Sequence, residues 1–315
     1  MGDAEGAADR DHAPGRRTVI ARRQAHPRRA ATAASEEEPR RPEPRTAIAM
    51  TIAGSDPSGG AGIQADLKTF TAFGVYGAAV LTALTAQNTL GVTGVHAVPP
   101  EFIREQIAAV ASDLAIGAVK TGMLGDREAV LAVGKALQEY RLAPVIVDPV
   151  MVATSGDPLI APDAIDAVRR ALVPLADLLT PNLHEAARLL ERPPARTEAE
   201  CEAQGKALLA LGARAVLVKG GHGTGADALD ILVHDSETLV LRASRIQTAN
   251  THGTGCTLSA AIAALMARGV GLHEAVRRAK AFVWQALNEG RELGIGSGSG
   301  PLDHLFAIRK QPPPV

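Results

Sequence analysis

Ala47-Ile48-Ala49-Met50-Thr51-Ile52-Ala53-Gly54-Ser55-Asp56-Pro57-Ser58-Gly59-Gly60-Ala61-Gly62 joins an unbroken apolar run to a loop of glycine, serine and proline. The run has the length and hydrophobicity of an interior strand, and the loop chemistry stops it. Beyond the loop, Ile63, Leu67, Phe70 and Phe73 recur at helical spacing until Gly74 ends the pattern. Strand, loop and helix in this order form one half of a parallel βαβ unit, so the fold question becomes whether the unit repeats.

It does. A strand over 76–85 ends in Ala86-Gln87-Asn88-Thr89, and a helix from about Pro100 leads to a strand over 116–120 that ends at Thr121-Gly122-Met123. A helix over 126–140 precedes Val145-Ile146-Val147-Asp148-Pro149-Val150. Another precedes Leu178-Leu179-Thr180-Pro181-Asn182, with Glu185 one turn into the next helix. A helix over 198–211 then leads to a strand over 215–219 that opens into Gly220-Gly221-His222-Gly223. Short strands near 229–234 and 239–242 read as a hairpin at the sheet edge, and a helix over 272–289 closes the pattern. This alternation predicts an α/β fold with a mostly parallel sheet between two layers of helices. Gln87, Lys120, Asp148, Asn182 and Lys219 each fall at the C-terminal end of a strand, the edge at which open α/β sheets bind ligands.

Asn250-Thr251-His252-Gly253-Thr254-Gly255-Cys256-Thr257-Leu258 repeats the glycine-to-helix transition near the other end of the chain. Its glycines leave backbone N–H groups uncovered at the start of an apolar helix, a site suited to charge on a phosphoryl group. Cys256 sits in that first turn. Helix dipole and free N–H groups predict a lowered thiol pKa and a proton acceptor; a small buried core residue is the competing reading of the residue alone. Cys201, on a helix without a partner, reads only as core.

Composition narrows the partners. The 315 residues are 46% hydrophobic with 31 glycines and 3% aromatics, enough for one large core over about 46–310. The net charge of −1 and the lack of a basic stripe argue against nucleic acid. No apolar run reaches the length of a membrane span. Two cysteines, far apart and outside any CxxC or His-rich pattern, fit a reducing, cytoplasmic compartment without structural zinc. Residues 1–45 differ from the rest: arginine pairs such as Arg16-Arg17 and Arg40-Arg41 alternate with Ala, Pro and Glu36-Glu37-Glu38, which predicts a disordered, solvated tail or a start assigned too early. Asp3, Glu5, Asp9 and Asp11 argue against a transit peptide.

Gly60-Ala61-Gly62-Ile63-Gln64-Ala65 fits GxGxxA, so a nicotinamide-dependent oxidoreductase is a candidate. The second strand, however, ends in Gln87 and not in an acid that would hold a ribose. No Gly-Lys-Ser/Thr follows the glycines as a Walker loop requires, and no GxSxG elbow of a hydrolase is present.

Seven segments together are more specific. Ala53 through Asp66, Ala86-Gln87-Asn88-Thr89, Lys120-Thr121-Gly122-Met123, Val147-Asp148-Pro149-Val150-Met151, Thr180-Pro181-Asn182 with Glu185, Val218-Lys219-Gly220-Gly221-His222 and Thr251-His252-Gly253-Thr254-Gly255-Cys256 resemble, in order, the hydroxymethylpyrimidine/phosphomethylpyrimidine kinases of thiamine biosynthesis. The resemblance covers about 47–306. It implies a ribokinase-like three-layer α/β/α fold and ATP-dependent phosphorylation of 4-amino-5-hydroxymethyl-2-methylpyrimidine, then of its monophosphate. It further implies that Gln87 pairs with the polar pyrimidine edge, with Gly54, Asp66, Met123 and Val150 around the ring. Gly253, Thr254 and Gly255 would form the anion hole and Cys256 the base. Asp148, Asn182, Glu185, Lys219 and Thr251 would serve ATP, with Asp148 and Glu185 holding Mg²⁺ through water. Related sugar and pyridoxal kinases mostly carry Asp where Cys256 stands, so the cysteine favours the pyrimidine branch and its Cys-containing pyridoxal-phosphorylating cousins. A pyridoxal or pyridoxine kinase is the alternative within the superfamily, and a pyrimidine-binding protein without catalysis is a third reading. The family often forms dimers, which makes a homodimer the expectation.

Overall fold

In the computed structural model, which describes residues 46–309 apart from 154–158, 222–224, 226 and 236, the repeated units form a nine-stranded sheet. Its strands are β1 (Ile48–Ser55), β2 (Tyr76–Asn88), β3 (Gly91–Ala97), β4 (Ala118–Thr121), β5 (Val145–Val147), β6 (Leu178–Leu179), β7 (Ala215–Gly220), β8 (Asp227–His234) and β9 (Glu237–Ser244). They lie in the order β3-β2-β1-β4-β5-β6-β7-β8-β9. Every neighbouring pair from β2 to β7 is parallel, and the ladders β3-β2, β7-β8 and β8-β9 are antiparallel. The segment over 1–45 and His222 lie outside the described residues.

The strands differ from the sequence reading at one edge. Ala86 to Asn88 continue β2, and the chain then doubles back as β3, with a register shift between Ala86 and Gln87. Gly91-Val92-Thr93-Gly94-Val95 hides this strand because an edge strand needs no buried face: its residues are half-buried or exposed and two are glycine.

Nine helices, among the described residues, join the strands: α1 (Gly62–Ala72), α2 (Pro100–Ala111), α3 (Arg127–Glu139), α4 (Pro162–Ala167), α5 (Leu183–Leu190), α6 (Glu198–Leu209), α7 (Thr254–Ala267), α8 (Leu272–Glu289) and α9 (Phe306–Arg309). Period-two alternation along each strand divides them into two layers. Met50, Ile52, Val145, Val147, Leu179, Val216 and Val218 pack with α2, α3, α5 and α6. Ala49, Ile146, Leu178 and Leu217 pack on the opposite face with α7 and α8.

Helix α7 is the central element of that second layer. Thr257 to Leu265 are all buried, with α1 and α8 beside the helix and β1, β4 and β5 beneath it. A helix apolar on every side is stable only in such a place. Each fully buried Ile or Leu on it contributes about 1.5–3 kcal/mol. The packing fixes where the first turn of α7 points, which is along the C-terminal edge of the parallel strands.

Candidate active site

A cavity of about 1090 Å³ opens along that edge, lined by the ends of β1, β2, β5, β6 and β7 and by the start of α7. Of the strand-end residues, Gln87, Asp148, Asn182 and Lys219 reach its wall. Lys120 does not. It is fully buried below, with Nζ 2.8 and 3.0 Å from the two carboxylate oxygens of Asp66.

Asp66 corrects one expectation. The resemblance put it beside the substrate ring, but the side chain is fully buried, absent from the cavity lining, and takes a further hydrogen bond from Thr51 Oγ1 at 2.6 Å. Its carboxylate is the counterion of Lys120; burial disfavours the ammonium, yet Asp66 outweighs it and holds the Lys120 pKa above the usual lysine range.

One end of the cavity lies between the ends of β1 and β2 and the residues that follow β4. Gly54 donates to the Met123 carbonyl at 3.1 Å, and a Cβ on Gly54 would meet Met123 Cε, so glycine is what lets β1 and the residues after β4 close together. Gln87, Met123 and Val150 line the same space. The glycines of the GxGxxA match are used up inside the protein: a Cβ at Gly60 would enter the His252 ring, and one at Gly62 would strike the Gly54 carbonyl. These close contacts within the protein account for both glycines without a pyrophosphate.

The other end is charged. Lys219 Nζ lies 2.7 Å from Asp148 Oδ1, and Asp148 also accepts from Ser259 Oγ at 3.0 Å and Thr180 Oγ1 at 3.1 Å. Burial raises the Asp148 pKa, but Lys219 and Lys120 outweigh it and keep the carboxyl below its ordinary range. Glu185, 5% exposed, is pushed up to about 7, chiefly by burial. Asn182 caps α5: its side chain accepts from the N–H groups of His184 and Glu185, and Glu185 Oε2 accepts from Asn182 N at 2.7 Å. This reciprocal box, which the Asn-x-x-Glu spacing encodes, holds Glu185 toward Asp148 and spends the Asn182 carbonyl on the helix.

Between the two ends stands the cradle. Gly253 caps α7 at φ 81°, and a Cβ there would run into the Gly60 carbonyl, so both its conformation and its contact demand glycine. Thr254 N–H and Oγ1 both turn back to the Thr251 carbonyl, while among the described residues the N–H groups of Gly255 and Cys256 have no partner. These two N–H groups, rather than those of all three expected residues, are the ones left open toward the cavity. Thr251 lines the cavity from the exposed side.

Cys256 differs from the sequence expectation. Burial of its thiol pushes the pKa up to about 11, although Lys120 and the Gly62 N–H, the first of α1, pull it down. Desolvation outweighs the helix dipole at this position. Cys201, buried and remote from the cavity, is core as expected. Sequence reasoning assigned no role to Asp56, Thr85, His252 or Ser259. The first three touch Gln87 or its neighbours, and only the presence of Asp56 and His252 inside the glycine motifs marked them.

A model of the phosphomethylpyrimidine kinase family matches residues 56–303. The chain is 56% identical over 261 residues to the hydroxymethylpyrimidine/phosphomethylpyrimidine kinase of Rhizobium meliloti, covering 82% of this chain and 97% of that one. It is 50% identical over 259 residues to the protein of the same name from Escherichia coli, with the same coverage. Among solved structures it resembles a phosphomethylpyrimidine kinase from Clostridium difficile (41% identity, TM-score 0.69, covering 76% of this chain and 99% of that one). It also resembles a Bacillus subtilis pyridoxal kinase in an ADP complex (36% identity, TM-score 0.76, covering 84% and 100%).

Proposed function

The chain belongs to the phosphomethylpyrimidine kinase family, and from that premise we propose that it transfers the terminal phosphoryl group of ATP to 4-amino-5-hydroxymethyl-2-methylpyrimidine and then to the resulting monophosphate. The ribokinase-like fold and the kinase activity of thiamine biosynthesis follow from the family itself. The observation that carries the site assignment is the meeting of three features in one cavity: an amide-lined ring pocket, an open helix N-terminus and a carboxylate–ammonium pair.

Phosphoryl transfer asks for alignment and charge stabilisation more than for covalent chemistry. Gln87 would hold the aminopyrimidine by its polar edge, as a planar amide offers a donor beside an acceptor. The hydroxymethyl arm then reaches the first turn of α7. There the Gly255 and Cys256 N–H groups stabilise charge on the transferring group without reorganising. The substrate hydroxyl forms the new O–P bond as ADP departs, and its proton leaves to Cys256 in the fraction of enzyme whose thiol is ionised. Lys120, Gly62 N–H and the start of α7 enlarge that fraction.

Lys219 would pair with the phosphates once ATP draws it from Asp148. A magnesium ion fits the remaining donors. Two buried carboxylates, Asp148 and Glu185, line one region of the cavity, where a cation would offset the burial that raises the Glu185 pKa. Asp148 and Glu185 would hold the ion through water, which suits a cation that keeps most of its hydration shell. When bound, the ion supplies charge neutralisation to the phosphates.

ADP release with the free pyrimidine, its monophosphate and pyridoxal offered separately tests the assignment. Turnover on both pyrimidines and slower turnover on pyridoxal is the expected result; turnover on pyridoxal alone would reassign the ring pocket.

A further inference from the structure

Asp56 gathers four donors at one carboxylate. Oδ1 accepts from Ser58 N at 2.9 Å and Ser58 Oγ at 2.7 Å, and Oδ2 accepts from Ala61 N at 2.8 Å. The fourth contact crosses the fold: His252 Nε2, from a residue 196 positions further along the chain, lies 2.8 Å from Oδ2. Burial raises the Asp56 pKa, but the hydrogen bonds from His252, Ser58 and Ala61 outweigh it and hold it at about 2. The carboxylate therefore only accepts, and the imidazole donates its Nε2 proton. Both side chains are buried.

This bond joins two elements with different tasks. The loop over 56–61 is folded around the Asp56 carboxylate and anchored on α1, since Asp56 N donates to Gln64 Oε1 at 2.9 Å and Gln64 Nε2 to Ser55 Oγ at 2.8 Å. It follows Gly54, which closes β1 against Met123, and lines the cavity through Asp56 and Ala61. His252 directly precedes Gly253, the N-cap of α7. The two backbones meet there without slack, as the contacts of Gly60 with the His252 ring and of Gly253 with the Gly60 carbonyl leave no space for a Cβ. The start of α7 has further supports of its own: His252 N donates to the Gly300 carbonyl at 3.0 Å, and Thr257 N and Oγ1 both donate to the Gly253 carbonyl at 2.8 Å. Loss of the imidazole–carboxylate bond thus leaves the turn folded and releases its setting against the loop.

We propose that Asp56 and His252 are positioning residues for phosphoryl transfer, whose hydrogen bond holds the loop over 56–61 against the first turn of α7 and so fixes the path from the substrate hydroxyl to the open N–H groups of Gly255 and Cys256. The ring is seated on one element and the transferring group on the other. A shift between them keeps each set of binding contacts but misaligns the reacting atoms, a loss that appears in kcat rather than in KM. The inference rests on the reading of this cavity as the site of pyrimidine phosphorylation.

His252→Leu removes the N–H and keeps an apolar side chain beside Gly60, while His252→Gln returns an amide N–H near the position of Nε2. Asp56→Asn leaves one acceptor oxygen where four donors converge. In kinetics with ATP and the free pyrimidine, His252→Leu and Asp56→Asn should lower kcat by about 10–100-fold, with KM for the pyrimidine and calorimetric ATP affinity within about threefold of wild type. His252→Gln should recover most of the loss. Asp56→Asn combined with His252→Leu should be no slower than the slower single variant, because both break the same bond. Hydrogen exchange reads the contact without any substrate: amides over 253–258 should exchange about tenfold faster in His252→Leu than in wild type or His252→Gln. Wild-type kcat in His252→Leu, a raised KM with kcat unchanged, or losses that multiply in the combined variant overturns the proposal. If the wild type turns over neither pyrimidine, the functional reading has failed and exchange alone decides: faster exchange upholds the contact, and unchanged exchange overturns it. Should Asp56→Asn not fold, the two His252 variants decide.

Discussion

Gly255 approaches the Asp148–Lys219 ion pair so closely that a Cβ built on it would stand 3.2 Å from Lys219 Nζ and 3.8 Å from Asp148 Oδ2. The start of α7 and the end of β7 are thus in register to within a methyl group. Gly255→Ala should fold, since the neighbour it crowds is the far end of a side chain. It should nevertheless displace the ammonium from the phosphate path and lower kcat by roughly 10–100-fold, as small misplacements at reacting centres do. Wild-type turnover with alanine there would show that Lys219 has slack and that the contact is not functional.

Glu185 gives a pH signature. It binds its proton more tightly in the folded protein, with the pKa raised from 4.5 to about 7, so its contribution to stability is fully present below about 4.5 and is lost as pH rises through about 7. The loss is on the order of 3 kcal/mol. His304, pushed down to about 4 by burial, works the other way: its contribution is present above about 6.5 and is lost as pH falls toward 4. The wild-type curve mixes both, so the informative quantity is the difference from Glu185→Gln, measured by denaturant unfolding. That difference should shift in favour of the variant between pH 4.5 and 7, and parallel curves would show that Glu185 titrates alike in the folded and unfolded chain.

Gln87→Leu removes the paired hydrogen bonds but roughly keeps the volume. Affinity for the pyrimidine should fall by on the order of 1–3 kcal/mol while ATP affinity holds, measured by titration calorimetry with each ligand. Equal losses for both ligands would mean that the substitution disturbs the cavity as a whole.

Deleting residues 1–44 should leave melting temperature and turnover nearly unchanged. The segment carries no periodic apolar face, and relatives matched over 97% of their own length correspond to only 82% of this chain. A large loss of either property would assign the segment a docking role.

Much of this was legible in the residues. Strand-end polar residues, glycine loops and the order of motifs located the cavity because parallel βαβ units must bring those ends to one edge, and Gln87, Asp148, Asn182 and Lys219 are found there. Two kinds of fact were not legible. Asp66 stands in the substrate-facing motif, yet Lys120, far along the chain, pairs with it below the surface; the β1–β4 register sets Lys120 beside Thr51, and α1 lays Asp66 over both. The Cys256 thiol was judged from its own helix, whereas its pKa is raised chiefly by desolvation at the floor of the cavity, with Asp66 and Asp148 adding to it, although the residue stays half-buried at the cavity wall. Local pattern reports direction along the chain, and desolvation is a property of the assembled core.

Desolvation sharpens what Cys256 must do. A base with a pKa of about 11 is mostly protonated at neutral pH, and its ionised fraction grows tenfold with each pH unit below that value. If Cys256 takes the hydroxyl proton, log kcat/KM of the wild type should climb with a slope near one from pH 7 to about 9. Cys256→Asp, ionised throughout that range, should give a flat profile. Cys256→Ser keeps size but cannot ionise, and it should lose about 10²–10⁴-fold in kcat, with ATP binding and thermal stability nearly unaltered. Alkylation should inactivate the wild type, with protection by ATP and pyrimidine together, because the thiol lies in the cavity wall. A flat wild-type profile combined with wild-type turnover in Cys256→Ser would leave the thiol a packing residue. Catalysis would then rest on the Gly255 and Cys256 N–H groups and on Lys219, whose charge is in place across the same pH range.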